Sequence, residues 1–420
     1  MDLNEKLPQS ERHDKLRATL IDLFSRTISV PASPDKIMER YFRLRPTLGK
    51  KARGFLASVS YSLMRARVRT LLLYRWANRD QPRFDWPEAG DVPPVLAPVE
   101  EAVIAVYRWI REDVDVPAPV ALAVAKSALQ NFGRLEQPPK DDEVLPFVGK
   151  PDAALAAFHE QFGEDPSLAA APEPQRLAAQ YSVPWDLLDR WMARFGRDEA
   201  LALAASLGEP APLDIRVNTL KDSRDSLGRK MDGFGFPNQP TPWSPHGLRL
   251  ERKGQLFRLD VFQQGYFEVQ DEASQLVSLA LDPKPTARVL DACSGGGGKA
   301  LHLAALMKNR GDIFSHDLKV ERLEPQKKRL RRAGLDNVRL LEPGTAAERG
   351  PYDAVLVDAP CLGFGTLRRN PDVVWRGPLA ERLASIQQTQ IDCLKQYGAL
   401  VKPGGVLVYA TCSFEPEETT

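Results

Sequence analysis

The 420-residue sequence predicts an α/β protein: an all-helical region comes first, a small α/β subdomain follows, and a doubly wound parallel sheet fills the C-terminal part. Three observations carry this prediction. The region to about residue 135 reads as helical, with apolar residues recurring on one face. From about Ala273 onward, apolar strand-like runs alternate with amphipathic stretches, the pattern of a parallel sheet with crossover helices. A glycine-rich turn follows the first of those runs and opens a helix, as in folds that cradle a ligand at the strand ends.

In the first region, twelve basic residues lie between Lys36 and Arg79 and only Glu39 opposes them. Phe55, Leu56, Val59, Leu63, Val68, Leu71 and Leu72 recur at helical spacing, so one face packs while the other stays cationic. Such a face is either merely solvated or a phosphate-binding surface. Residues 1–135 are taken as this helical domain and the acidic, proline-bearing stretch 136–164 as a linker. In 165–272, a helix starts at Val183-Pro184-Trp185 and stops near Gly196, and short strands are expected at Asp214–Asn218, Gly247–Leu250 and Tyr266–Val269. In 273–420, strands are expected at Ala287–Ala292, Asp312–His316, Val338–Leu341, Tyr352–Val357 and Gly405–Ala410. Helices are expected at Lys299–Asn309, Val320–Ala333 and Leu379–Val401.

Composition narrows the class. A chain of this length suggests two or three domains. At 43% hydrophobic and 27% charged it reads as an ordinary globular protein. No apolar stretch approaches the roughly 18 residues that span a bilayer, and the start lacks the build of a secretory signal. Four cysteines without dense spacing fit a reducing cytoplasm better than a disulfide scaffold. Without a CxxC pair or a His/Cys cluster at ligand spacing, no metal is expected. A monomer is expected.

The run Asp291-Ala292-Cys293-Ser294-Gly295-Gly296-Gly297-Gly298-Lys299 lets the backbone approach a ligand closely. It is not a P-loop, because Ala300 stands where Ser or Thr is required. Asp317, 19 residues after Gly298, is placed either to accept from a ribose diol or to cap the next helix. These features allow a nicotinamide dinucleotide or S-adenosylmethionine. Two cysteines discriminate. Cys361 closes the run Ala354–Pro360 and Cys412 closes Val406–Thr411, so both thiols emerge at the sheet's carboxyl edge. A hydride-transfer site has no evident need for such a pair. Methylation of pyrimidine carbon 5 does: a thiolate adding to carbon 6 turns the ring into an enamine that carbon 5 can use as a nucleophile. Asp358 lies three residues before Cys361, placed for the base's amino edge or for the cofactor's ammonium. Cys293 and Cys393 are read as structural.

At these motifs the chain resembles the RNA cytosine-5 methyltransferase (Sun) family. The matching segments are DACSGGGGK (291–299), DAPCLGFGTLRRNPD (358–372), ATCSFEPEE (410–418), RVNTLK (216–221) and VQDEASQLV (269–277). The first region resembles the NusB-like helical RNA-binding domain of bacterial 16S rRNA methyltransferases of the B type. The resemblance implies a Rossmann-like methyltransferase core behind an RRM-like subdomain, S-adenosylmethionine as cofactor, and RNA, specifically small-subunit rRNA, as partner. It makes Cys412 the nucleophile, Cys361 the cysteine that promotes product release, and Lys299 and Asp358 their active-site companions. It assigns Ser294, Gly295, Gly296, Gly297, Gly298, Lys299, Asp317, Arg322 and Asp358 to the cofactor, and makes Arg368 and Arg369 available to RNA phosphates. The same chemistry on tRNA, or RNA binding without methylation in ribosome assembly, are the alternatives. Three departures from the family are expected to matter. Ser294-Gly295-Gly296 replaces stiffer residues, which predicts a more flexible loop. Glu342-Pro343-Gly344 stands where the family has an acidic residue near the adenine. The last strand pair of the usual sheet has no counterpart before Thr420, so either the sequence is a piece of a longer chain or one sheet edge is unprotected.

Overall fold

A computed structural model describes residues 34–65, 183–209, 211–252, 254–375 and 378–419, with isolated positions between 19 and 27 and between 173 and 181. The expected linker 136–164, and the expected helical domain beyond residue 65, lie outside the described residues. The chain forms two compact units, residues 1–210 with 364–382 and residues 211–363 with 383–420.

In the first unit, α1 (Pro34–Arg43) and α2 (Lys50–Arg65) carry part of the basic run. Lys36, Arg40, Arg43 and Lys50 are exposed, whereas Leu56, Ser60 and Met64, one helical turn apart, are buried. Arg45 is partly withdrawn from that face: it stacks 3.7 Å over the Tyr41 ring and pairs with Asp22 at 2.8 Å. α3 (Trp185–Phe195) buries Leu187, Leu188 and Trp191, and Gly196 at φ 81° ends it before α4 (Arg197–Gly208). The segment 364–382 groups with this unit. There Phe364 is fully buried, Arg368 pairs with Glu209 at 3.3 Å, and the Asn370 amide donates to Thr366 Oγ1 at 3.1 Å.

The second unit holds two sheets. The first comprises β1 (Leu213–Val217), β2 (Asn238–Pro240), β3 (Gly247–Leu250) and β4 (Phe267–Val269). They pair antiparallel in the order β2-β3-β1-β4, with α5 (Arg224–Gly233) between β1 and β2 and the short α6 (Asp260–Gln263) before β4. Ser223 caps α5 by accepting the Ser226 N–H. Inward residues Ile215, Val217, Leu227, Met231, Leu248, Leu250 and Phe267 form its core.

After α7 (Glu272–Leu281) the core sheet begins. Its strands are β5 (Arg288–Asp291), β6 (Asp312–Ser315), β7 (Val338–Leu340), β8 (Tyr352–Asp358) and β9 (Val401–Ala410). All pair parallel, in the order β7-β6-β5-β8-β9. Successive strands run outward from β5 on one side and continue from β8 on the other, so a switch point lies between β5 and β8. α8 (Gly298–Leu306) and α9 (Glu324–Ala333) join α7 over one face, against Val289, Ile313, Ala354 and Leu356. α10 (Leu379–Gly398) covers the other with Cys393 and Tyr397, against Leu290, Phe314, Val355 and Val357. The strict alternation of these two sets along each strand is the period of two that a sheet buried on both faces requires. The short α11 (Pro416–Thr419) follows β9.

Element boundaries differ from expectation where proline acts. α9 starts at Glu324, behind a 3₁₀ turn at Val320–Arg322, because Pro325 occupies its first turn. β9 starts at Val401 rather than Gly405, because a register shift beside Tyr352 accommodates Pro403 and Gly404 (φ 75°). Among the described residues β9 is an edge strand, and Val406 and Leu407 on it are 48% and 39% exposed.

The two sheets are joined by the segment 216–221. Asn218 Nδ2 donates to the Gly265 and Ala333 carbonyls, both at 3.0 Å, and Lys221 Nζ donates to Gln264 O (2.6 Å) and Arg332 O (3.0 Å). Gly265, at φ 74°, lies so close to α9 that a Cβ would stand 2.1 Å from Arg332 O. Gly334 has the same φ, but its Cβ would meet only the flexible Lys221 side chain, at 3.4 Å. Gly334→Ala is therefore expected to cost about 1–2 kcal/mol of backbone strain. Gly265→Ala should cost about 1–3 kcal/mol more, because packed backbone must move. Urea unfolding of the two variants measures the difference, and equal midpoints would contradict the close approach.

Candidate active site

Parallel pairing places the ends of four strands at one edge. Asp291 aligns with Ser315 and with Leu356, and Asp358 aligns with Ala410. The chain leaves β8 through Ala359-Pro360 to Cys361, and leaves β9 through Thr411 to Cys412. The thiols meet there, Sγ to Sγ at 3.1 Å, both free. They are unequal. Cys412 is exposed and Cys361 half-buried. The hydrogen bond shared with Cys412, together with burial, pushes the Cys361 thiol up, and nearby Glu418 adds to that. The same hydrogen bond pulls Cys412 down; burial and Asp358 oppose this, and Lys299 supports it. Cys412 is the more acidic thiol of the pair and Cys361 the less acidic.

One buried carboxylate fixes both turns. Glu418, 2% exposed, accepts the Leu362 N–H (2.8 Å), the Gln390 amide (3.1 Å) and the Ser413 hydroxyl. Gln390 also donates to Pro360 O at 2.8 Å, and the Tyr409 hydroxyl donates to Glu418 O at 3.0 Å. The residue after each thiol is thus bonded to the same side chain.

Lys299, at the start of α8, donates to Asp358 Oδ2 at 2.5 Å and to Ser274 Oγ at 3.4 Å. Lys299 and Asp358, with side chains 12% and 31% exposed, form a largely desolvated ion pair at the strand ends.

The glycine loop is held from all sides rather than slack. Gly295 (φ 53°) and Gly297 (φ 80°) take conformations that disfavour side chains, and a Cβ on Gly297 would stand 2.7 Å from Gln326. Gln326, fully buried on α9, donates to Gly295 O (2.8 Å) and Ser294 Oγ (3.0 Å) and accepts from Ser315 Oγ (2.9 Å). Asp317 accepts the N–H groups of Gly295 and Lys319, each at 2.9 Å. Arg216 Nη1, on a residue 3% exposed, donates to Gly298 O at 2.8 Å. Arg329 bonds Gly296 O and pairs with Glu268, which also pairs with Arg332.

The structure therefore brings Ser294, Gly295, Gly296, Gly297, Gly298, Lys299, Asp317, Asp358, Cys361 and Cys412 to one edge. Ser294 turns inward, 2.6 Å from Ser315 Oγ, so its hydroxyl serves the loop. Arg322, 52% exposed, stands 3.9 Å from Asp317. Asp291 is fully buried. Burial pushes its carboxyl up to about 7, Ser294 and Lys299 offset this only in part, and neither oxygen has a hydrogen-bond partner among the described residues. Sequence reasoning missed Glu418, Gln390, Gln326 and Arg216, whose partners are distant in the chain. It also missed that Cys293 and Cys393 lie together in the core layer beside Tyr397, Cys293 half-buried and Cys393 buried. No group of three or more His, Cys, Asp or Glu able to hold a metal occurs among the described residues.

Residues 278–420 match the family described as 16S rRNA methyltransferase RsmB/F, and residues 184–256 match the ferredoxin-like domain of the same group. A probable ribosomal RNA small subunit methyltransferase B of Synechocystis sp. is 36% identical over 248 residues, 58% of this chain and 55% of that protein. A Bacillus subtilis protein of the same description is 35% identical over 259 residues, 60% of this chain and 58% of that one. The chain thus aligns with little more than half the length of either relative. A methyltransferase homologue from Pyrococcus horikoshii superposes with a TM-score of 0.53 and 32% identity, over 59% of this chain and 79% of that one.

The thiol asymmetry has a direct readout. Iodoacetamide should alkylate Cys412 with a pH midpoint below the roughly 8.5 of an ordinary thiol. Cys361→Ala removes the hydrogen bond and should return that midpoint upward, which peptide mass spectrometry across a pH series measures. A midpoint that stays put in the variant contradicts the assigned direction.

Proposed function

Proceeding from residues 278–420 as a methyltransferase domain of the RsmB/F family, we propose that the protein transfers a methyl group from S-adenosylmethionine to carbon 5 of a cytosine in small-subunit rRNA. The observation that carries this reading is the pair of free thiols 3.1 Å apart at the carboxyl edge of a parallel sheet, beside the Lys299–Asp358 ion pair.

The residues present fit the cofactor. Nothing lies within 4 Å of where a Cβ would stand on Gly295, so a ligand can lie against that backbone. Gly295–Gly298 with Asp317 and Arg322 would hold the nucleoside side, and Asp358 and Lys299 would face the reacting groups. When bound, S-adenosylmethionine supplies an electrophilic methyl group.

The chain's own residues do the rest. The Cys412 thiolate donates an electron pair to carbon 6 of the cytosine, and the electrons of the 5,6 double bond move to carbon 5, which becomes nucleophilic. After methylation the carbon 5 proton passes to water, the C–H electrons restore the double bond, and the Cys412–carbon 6 bond breaks with its pair leaving on sulfur. Cys361 would assist that departure by donating a hydrogen bond to the Cys412 sulfur as its charge returns. Glu418 and Gln390 keep the two sulfurs in this relation.

Cys412→Ala is expected to abolish methylation. Cys361→Ala should retain attack but slow release, accumulating a covalent protein–RNA adduct on a denaturing gel. An adduct with Cys412→Ala instead would reverse the two roles. Tritium from methyl-labelled cofactor should enter cytosine of small-subunit rRNA, and bisulfite sequencing locates the base. RNA binding without incorporation would overturn the enzyme reading.

A further inference from the structure

The turn joining β2 to β3, residues 241–246, is built around an exposed indole. Its neighbours are inside: Thr241 is 3% and Ser244 1% exposed, whereas Trp243 between them is 74% exposed. The backbone on both sides is fixed. Glu272 Oε1, on a residue 3% exposed, accepts the N–H groups of Trp243 (2.7 Å) and Ser244 (2.8 Å). Burial works against charge on Glu272, yet those two N–H groups hold its carboxyl below the usual range, so the anchor stays ionised. Ser244 Oγ donates to Gln275 at 2.7 Å, and a Cβ on Gly247 would stand 2.1 Å from Thr241 Oγ1. No hydrogen bond or ring contact among the described residues reaches the indole itself.

A single exposed apolar residue on a surface is ordinary. This one differs because a buried carboxylate and two buried hydroxyl residues are spent on holding a backbone whose outward product is the indole. Such a pre-ordered aromatic loses little entropy on contact. Position and charge say what it contacts. Glu272 lies two residues before Ser274, whose hydroxyl takes the second hydrogen bond of Lys299, so the turn and the site lysine hang from one turn of α7. Arg224 Nη1 donates to Ser244 O at 3.3 Å and its Nε stands 3.9 Å from Asp225, with 30% of the side chain exposed, which puts a guanidinium against the backbone of the residue after Trp243. A flat π-face next to a cation is the pair that single-stranded nucleic acid takes, base on the ring and phosphate on the arginine.

We propose that Trp243 is a stacking platform for an unpaired base of the RNA substrate flanking the methylated cytosine, with Arg224 on the adjoining phosphate. This rests on the reading of the chain as an RNA methyltransferase and adds a subsite to it, on the antiparallel sheet rather than the catalytic core.

The test compares the full chain with Trp243→Ala, Trp243→Phe and Arg224→Gln in binding a short, unstructured, cytidine-containing RNA by fluorescence anisotropy over a salt series. Trp243→Ala should weaken binding about 5- to 100-fold, the range of one lost base stack, with the salt slope unchanged. Trp243→Phe should recover most of the affinity, since any aromatic face stacks. Arg224→Gln should lower the salt slope by about one. Thermal unfolding of Trp243→Ala should match the parent, because the indole is outside. Undiminished affinity in Trp243→Ala overturns the proposal alone and leaves the indole to a protein partner. Absence of RNA binding by the unaltered chain overturns the methyltransferase reading, and the subsite with it.

Discussion

β8 and β9 pair in parallel with Asp358 opposite Ala410, so their two exits run side by side, and the buried Glu418 carboxylate then ties those exits together. The chemistry of the site depends on this double constraint. Strand pairing alone fixes backbone, and side chains two or three residues past the strand ends would be free to separate. Glu418 removes that freedom by bonding the residue after each cysteine, and Gln390 secures Pro360 from the opposite layer. A carboxylate taken fully out of water is stable only when its lone pairs are filled. Here Leu362, Gln390 and Ser413 fill them, so displacing either cysteine turn would strand a buried charge. The cost of an orphaned carboxylate is what keeps two thiols 3.1 Å apart.

The glycine loop obeys a related logic. Its residues have no side chains to anchor it, so anchoring comes from outside: Asp317 below, Gln326 and Arg329 from α9, and Arg216 from the antiparallel sheet. Arg216 and Glu268 are both nearly buried, and such charges are tolerated only with their hydrogen bonds complete. The antiparallel sheet is therefore more than an appendage. Through Arg216, Asn218 and Lys221 it sets the position of the loop and of α9, and through the 241–246 turn it reaches the helix that bears Ser274.

Much of this was legible in the chain, for identifiable reasons. Continuous apolar runs announced β5, β6 and β8, because strands buried on both faces read as unbroken apolar stretches rather than alternating ones. The glycine run and the two strand-end cysteines announced the ligand edge, because the residues that leave a strand are set by local sequence alone. The flexible loop expected from Ser294-Gly295-Gly296 proved to be pinned: glycine content reports the freedom of an isolated backbone, and Gln326, some thirty residues away, cannot be weighed from it. Glu418, Gln390 and Arg216 escaped notice on the same ground. Each looks like an ordinary polar residue until the fold buries it. Cys293 and Cys393, read separately as small hydrophobes, lie a hundred residues apart in sequence, and only the packing of α10 on the sheet makes them a pair.

The two thiol pairs show why position alone does not make a nucleophile. The Cys293–Cys393 pair lies in the layer of Val357 and Tyr397, with Cys293 half-buried and Cys393 buried, and it serves packing. At the strand ends the situation differs. Lys299 and Asp358 are the charges facing Cys412, and they act on it in opposite directions. Bound to each other at 2.5 Å, they oppose one another at the sulfur, and the hydrogen bond with Cys361 is the larger influence on it. Glu418 disfavours charge on Cys361, whereas burial and Asp358 disfavour it on Cys412, so the shared hydrogen bond is the largest influence on both sulfurs. On the proposed reaction the same hydrogen bond serves both ends of the cycle, because the proton that stabilises the resting thiolate also stabilises it as a leaving group. Attack and release then need no rearrangement between them, only one fixed distance, and the strand register with the buried carboxylate is what maintains it.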